Sequence, residues 1–264
     1  MFKNFHRPQK SKLPKPEEFL PTPLDRVRAI AGRLAPHAIG RDLVRIGPAG
    51  DGGYLLPDDL DGISVCVSPG VSTECGFDLA LAERGIDVYM ADASVDGPPH
   101  PHPRFHFAKK FLGAISQGDD LTIADFCGSI PNFASAGDLL LQMDIEGAEY
   151  PVILGMDQAL LARFRIVVLE LHWLDIIAHR FGHDVIKATF DKLLADHTAV
   201  HLHPNNCCGS VMVHGIEVPH IMEVTLLRND RATFTRNSSR PYPHPLDADN
   251  VSFRPPLVLP QAWR

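Results

Sequence analysis

The sequence predicts an α/β fold: a mostly parallel sheet with helices on both faces and an antiparallel hairpin at one edge. Three observations lead there. From residue 63 onward, short runs rich in Val, Ile and Leu alternate with segments of helical spacing. Strands alternating with helices imply parallel pairing through crossover helices. The last two apolar runs, "AVHLHPNN" and "HIMEVTLLR", are joined by a segment without helical pattern, which implies an antiparallel pair. Finally, the strand in "LLLQMDIEGAEYPVI" runs straight into Asp144, Glu146 and Glu149. Acidic side chains are rarely buried unpaired, so this strand should end where the sheet opens to a site.

Residues 1–22 are rich in Pro and Lys and are expected to form a flexible arm. "TPLDRVRAIAGRLAPHAI" reads as a helix, with Thr22 as N-cap and Pro23 at the first position. A glycine-rich segment, "RIGPAGDGGYLLPDDLDG", completes an N-terminal cap over 23–62. The core spans 63–230. Its strands are "ISVCVSPG", "IDVYMADAS", "RFHFAKKFLG", "DLLLQMDI" and "RIVVLELHWL", followed by the closing pair. "ECGFDLALAERG", "DDLTIADFCGSI", "AEYPVILGMDQALLARF" and "GHDVIKATFDKLLADH" read as the intervening helices. The Pro-rich stretch 231–264 is expected to pack on the core surface.

Bulk properties exclude several classes. A net charge of −7 argues against a nucleic-acid binder with a broad basic surface. Five cysteines without C-x-x-C do not suggest a disulfide framework, and a reducing compartment fits them. No apolar run approaches a membrane span, and the N-terminus lacks an apolar signal core. The expectation is a soluble, cytoplasmic protein without a transmembrane segment, with homo-oligomerisation open. G-x-G-x-x-G, G-x-S-x-G, P-loop and H-E-x-x-H motifs are all absent.

In open α/β sheets, ligands bind beyond the carboxyl ends of the strands. The first such end, "SPGVSTECG", places Ser68 and Gly70 in a turn that lets backbone approach a ligand, or in an ordinary strand-to-helix turn. Asp92 ends the second strand, where such folds bind ribose hydroxyls; a turn-capping aspartate is the plainer alternative. Asp144 ends the fourth. Glu170 and His172 on the fifth are expected on one face by alternation, so Asp144, Glu170 and His172 form a candidate divalent-cation site. Glu149 reads as an acid in the first turn of a helix, and Glu146 as a residue facing the substrate. "HLHPNN" offers His203 as a base and Asn205 and Asn206 as polar contacts; it also reads as half a zinc site or a polar loop.

"LLLQMDIEGAEYPVI" resembles the D-x-E-G-x-E signature of FkbM-type S-adenosylmethionine (SAM) methyltransferases. "DLTIADFC", "RIVVLELHWL" and "SVCVSPGVSTECGFDLALAERGIDVYMADAS" resemble the segments around that signature in a divergent branch. The resemblance covers roughly residues 45 to 260. It implies a class I methyltransferase, Rossmann-like fold of seven strands. It also implies that Ser68 and Gly70 approach the methionine part of SAM and that Asp92 binds the ribose. The 111–121 segment would border the adenine, and Asp144 would lie beside the methyl donor. Ser68-Pro69 replaces the acid often found at the first strand end, so Asp51 or Tyr54 becomes the candidate contact for the SAM amino group. The implied activity is O-methylation of a small molecule, first a saccharide or glycan, with Mg²⁺ or Mn²⁺ as an optional helper. His172 or His203 would act as base, with Asp144 at the reacting centre. Two alternatives stay open: a non-catalytic glycan- or partner-binding module on the same fold, and a metal-dependent hydrolase.

Overall fold

The computed structural model describes residues 20–236 and 241–264, so the expected arm falls outside the described residues up to position 19. The strands are β1 His37–Ala38, β2 Leu43–Ile46, β3 Tyr54–Pro57, β4 Val65–Pro69, β5 Asp87–Ala91, β6 Phe105–Ala108, β7 Phe111–Leu112, β8 Asp120–Leu121, β9 Leu139–Met143, β10 Phe164–Leu171, β11 His197–Pro204, β12 Ser210–Val213, β13 Ile216–Pro219, β14 Met222–Arg228 and β15 Thr235–Arg236. The helices are α1 Leu24–Arg33, α2 Gly76–Ala82, α3 Ile123–Gly128, α4 Glu149–Gly155, α5 Gln158–Leu161 and α6 Arg180–Asp196.

Seven strands form the central sheet in the order β11-β14-β10-β9-β4-β5-β6. All run parallel except β14, which is antiparallel to both β10 and β11. This is the expected architecture. The antiparallel pair does close one edge, but its second member is inserted between β10 and β11, leaving β11 outermost. The connection within the pair is also more than a loop, because β12 and β13 form a hairpin of their own.

Strand alternation divides the sheet between two cores. Val67, Leu141, Met143, Val167 and Leu169 face α1, α3, α4 and α6. Cys66, Leu140, Ile166 and Val168 face the other way, onto α2 and the β2–β3 hairpin through Leu55, Leu56 and Phe77. Helices therefore cover one face fully. The glycine-rich segment covers much of the other as a hairpin, because its apolar Tyr54, Leu55 and Leu56 sit in a strand.

Two helix boundaries differ from expectation. Thr22 does not cap α1: its amide donates to Ala178 O at 2.9 Å, which holds it extended, and its hydroxyl is buried without a hydrogen-bond partner among the described residues. The carbonyl of Pro23 receives the first helical bonds, from Arg26 and Val27. The single helical region expected after Asp144 is two helices, because the chain turns extended at Met156 and Asp157 before α5 begins. No helix among the described residues is long and apolar enough to cross a membrane.

The C-terminal extension is fastened to the carboxyl edge of the sheet. Trp263 is fully buried and its indole N–H donates to Glu217 O at 3.0 Å. Asp247 lies 2.8 Å from Nε2 of His201 and 3.5 Å from Nδ1 of His203, and accepts from the His244 amide at 2.7 Å. Burial pushes the Asp247 carboxyl up, but the hydrogen bonds and charges of the two histidines outweigh it and hold it far below the usual range. His203 moves the other way: burial lowers it, and Asp247 with Glu223 raises it above the ordinary value. The depressed Asp247 adds stability above its unfolded pKa of about 4, lost as pH falls. The raised His203 adds stability below its unfolded pKa of about 6.5, lost as pH rises through its folded value. Asp247→Asn should therefore cost about 1.5–3 kcal/mol near pH 5–6. Urea unfolding across pH should show the gap to wild type narrowing on both sides of that window.

Candidate active site

The strand order reverses between β4 and β9, and a cleft of about 500 Å³ opens there. Its geometry starts from Gly70. This residue has φ +90°, and a Cβ on it would stand 1.6 Å from the Asp144 carbonyl oxygen. Only glycine tolerates both the dihedral and the approach. Around it the Gly70 amide donates to Ala91 O at 3.0 Å, and the Asp144 amide donates to Pro69 O at 3.3 Å. The ends of β4, β5 and β9 are thus tied together at the floor of the cleft.

Of the residues expected to hold a nucleoside cofactor, Asp51, Tyr54, Gly70, Asp92 and Asp144 line the cleft, as do Phe111, Leu112 and Asp120 from the 111–121 segment. Asp92 has a structural task as well. Its Oδ2 accepts from the amides of Val71 (3.1 Å) and Ser72 (2.9 Å), and its Oδ1 from the amide and hydroxyl of Ser94. Burial alone would raise its pKa; these bonds outweigh burial and lower it. Asp92 therefore shapes the turn after β4 while bordering the cleft. Ser68 does not line the cleft. It is buried and donates to Gln142 Oε1 at 2.8 Å, supporting the wall from behind. Among the lining residues that were not anticipated are Gln142 and Asp78. Gln142 is the one polar residue inside β9, a signal the sequence did carry. Asp78, in α2, is pushed up to about 7 by burial, and its Oδ1 has no hydrogen-bond partner among the described residues.

The acidic end of the cleft is built by two turns. In the first, Glu146 adopts φ 56° and Gly147 φ 106°. That folds the chain back so that Glu149, fully buried at the start of α4, accepts from the amides of Ile145 (2.9 Å) and Gly147 (3.2 Å). In the second, β10 ends at Leu171 and Trp173 adopts φ 52°. His172 is thereby turned out of the strand. Its Nδ1 lies 3.1 Å from Glu149 Oε1, and its Nε2 lies 3.5 Å from Glu146 Oε2 and 3.8 Å from Asp144 Oδ1. The Tyr150 hydroxyl donates to the His172 carbonyl at 2.9 Å. Burial would lower the His172 pKa, but the Glu149 hydrogen bond and charge, with Asp144 and Glu146, raise it. Asp144 is pushed up to about 7, first by burial and then by Glu149, Glu146 and Asp51, against the opposing His172.

The side chains group differently from the expected trio of Asp144, Glu170 and His172. Asp144, Glu149 and His172 place one ligand atom each within 4.8 Å of one another; Glu170 is not in the group. Alternation carries Glu170 and His172 to one face only while the strand continues, and β10 stops between them. Glu149 is more than an acid of the first helical turn, because its carboxylate bends back to orient His172. Glu170 instead accepts from Asn205 Nδ2 at 2.8 Å. Across the antiparallel pairs it faces Glu223, which in turn faces His203. Burial raises Glu170 well above the carboxylate range and brings Glu223 to about 7.

His203, Asn205 and Asn206 stand apart from Asp144. β11 is three places from β9, on the order of 14 Å at ordinary strand spacing. Asn205 also accepts from the Cys207 amide at 2.8 Å, and Asn206 exchanges hydrogen bonds with the main chain of Val251. His203 faces Asp247, and both asparagines hold the loop and the C-terminal extension, so their contacts are structural. Glu146, by contrast, lines the cleft with an exposed carboxylate.

With the geometry in place, comparison with known proteins is informative over part of the chain. Residues 90–196 match the family model described as the methyltransferase FkbM domain. No curated protein matches the chain. Among solved structures it is similar to a chain of a fibrillarin/Nop5p complex, with TM-score 0.38 and 12% identity over 64% of this chain and 74% of that one. It is also similar to a mutant 16S rRNA (adenine(1408)-N(1))-methyltransferase from Catenulisporales acidiphilia, with TM-score 0.32 and 11% identity over 73% of this chain and 100% of that one. Likeness at that level says nothing of the acceptor. The matched stretch, residues 90–196, carries Asp92, Asp144, Glu149 and His172, and over it the chain is similar to the FkbM methyltransferase domain.

Proposed function

We propose that this methyltransferase uses SAM to methylate a hydroxyl group of a small molecule, with saccharides as the first acceptor class. The observation that carries the reading is the Glu149–His172 pair standing beside Asp144 at one end of the cleft. The cleft suits a cofactor of that size, since ligand sites commonly span about 300–1,000 Å³. Its polar groups suit the parts of SAM. Asp92 and Asp120 border one region, and Asp51, Tyr54 and Asp78 offer oxygens to a cationic amino group. When bound, SAM supplies an activated methyl group on a sulfonium centre.

The chain's task is then to align an acceptor oxygen and take its proton. Glu149 holds the His172 ring through Nδ1, leaving Nε2 directed toward Asp144 and Glu146. A hydroxyl placed there would donate its proton to Nε2, and the buried Glu149 carboxylate would stabilise the resulting imidazolium. Asp144 and Glu146 accept further hydroxyl hydrogen bonds and hold the acceptor in line.

A second reading keeps the acceptor and adds a divalent cation at Asp144, Glu149 and His172. It is favoured by Oε2 of Glu149, which is buried without a hydrogen-bond partner among the described residues. Chelation separates the two. Activity lost in EDTA and restored by Mn²⁺ or Mg²⁺ supports the cation; activity unchanged in EDTA supports the base alone.

The base predicts a pH–rate profile. Only neutral His172 accepts a proton, so kcat should rise with pH through its raised pKa. His172→Ala should lower kcat by about 10²–10⁴-fold with SAM affinity retained. Glu149→Gln removes the hydrogen-bonded charge that raises His172, so the ascending limb should move to lower pH while kcat falls. A profile that keeps its position in Glu149→Gln would remove Glu149 from this role.

A further inference from the structure

We propose that Trp173 is the platform on which the acceptor lies, and that the acceptor is a neutral, polyhydroxylated ring stacked on its exposed indole. The inference deepens the methyl-transfer reading and rests on it. The chain has two tryptophans. Trp263 is fully buried, whereas Trp173 is 59% exposed. A single exposed apolar side chain is ordinary; the placement of this one is not.

Trp173 directly follows His172, and its backbone is held at φ 52°, ψ 36°, a left-handed conformation that a bulky residue seldom adopts. Hydrogen bonds fix the peptide that follows it: the Leu174 amide donates to His220 O at 2.9 Å, and the Ile176 amide to the Trp173 carbonyl at 3.0 Å. The six-membered ring of the indole rests on Gly147. A Cβ there would stand 2.8 Å from Cζ3 and 3.0 Å from Cε3 and Cη2. Gly147 is thus small to admit the indole as well as to turn the chain. Glu146, the adjoining residue, lines the cleft, with its carboxylate 3.5 Å from Nε2 of His172. The platform therefore stands on the residue that follows Glu146, where the cleft lining ends.

This combination selects a chemistry. The face of an aromatic ring is electron-rich and attracts polarised C–H groups, which a pyranose presents on its apolar face. Ionised Glu146 accepts hydrogen bonds only, and a pyranose presents hydroxyl donors around its edge. One stacked ring satisfies both. The same carboxylates, on a chain of net charge −7, oppose an acidic ring.

The test uses saturation-transfer NMR with the methyl glycosides of glucose, mannose, galactose and rhamnose, and with methyl glucuronide. The full chain is saturated with S-adenosylhomocysteine, whose own binding is measured by calorimetry. At least one neutral glycoside should bind, with the glucuronide weaker by about tenfold or more. Trp173→Ala should weaken the neutral glycoside by about tenfold, and Trp173→Phe by no more than about threefold, with S-adenosylhomocysteine affinity unchanged in both. If S-adenosylhomocysteine binds but no neutral glycoside does, or if Trp173→Ala and Trp173→Phe both bind it as wild type does, the platform is wrong and the methyl-transfer reading stands. If Trp173→Ala fails to fold, Trp173→Phe decides, and loss of glycoside binding in it overturns stacking. Failure of the wild-type chain to bind S-adenosylhomocysteine overturns both.

Discussion

The contact between Gly70 and the Asp144 main chain is the constraint on which the rest of the site depends. A Cβ at residue 70 would overlap the Asp144 carbonyl oxygen at 1.6 Å. Because there is none, the ends of β4 and β9 close on one another, and Asp144 is fixed by its amide bond to Pro69 O. The turn that follows Gly70 is then close enough for Asp92 to gather the amides of Val71 and Ser72. The cleft occupies the space left between these strand ends. The cost of leaving an acid half-buried at its edge is set here, by backbone that cannot move away.

The electrostatics of the carboxyl edge follow from which acids are given partners. Asp247 lies between two histidines and is held ionised. Glu170 and Glu223 lie opposite each other in adjacent strands, where two like charges would repel. Burial raises both, reinforced at Glu170 by Asp144 and Glu223 and at Glu223 by Asp247, against the opposing His203. Tyr54 closes over this region from the β2–β3 hairpin, and its phenol is raised by burial and by Asp144, Glu170 and Glu223. Asp144 stands between these regimes, next to an imidazole and open to the cleft. A group so placed responds to what binds beside it, as expected for functional positions.

Much of the fold was legible in the sequence, because alternation of apolar runs with helical spacing is a strong local signal. The signature after β9 marked the carboxyl edge, and strand order put Gly70, Asp92 and Asp144 at the strand ends that border the cleft. What escaped was set by dihedrals and long-range packing. The left-handed conformations of Glu146 and Trp173 turn Glu149 toward His172 and leave Glu170 behind. Neither residue type announces φ > 0, since both are large and only glycine does so routinely. The partners of Asn206 and His203, Val251 and Asp247, were not legible because they come from an extension more than forty positions away. The insertion of β14 between β10 and β11 likewise depends on pairing that no local pattern specifies.

The central proposal is that the space between Gly70 and Asp144 holds the cofactor of a methyl-transfer reaction. A crystal structure with S-adenosylhomocysteine tests it most directly. The account predicts the nucleoside between Asp92 and Phe111, and the sulfur beside Asp144 on the side facing His172. Ligand density at any other place on the sheet, or a cleft that stays free of ligand at saturating concentration, would contradict it.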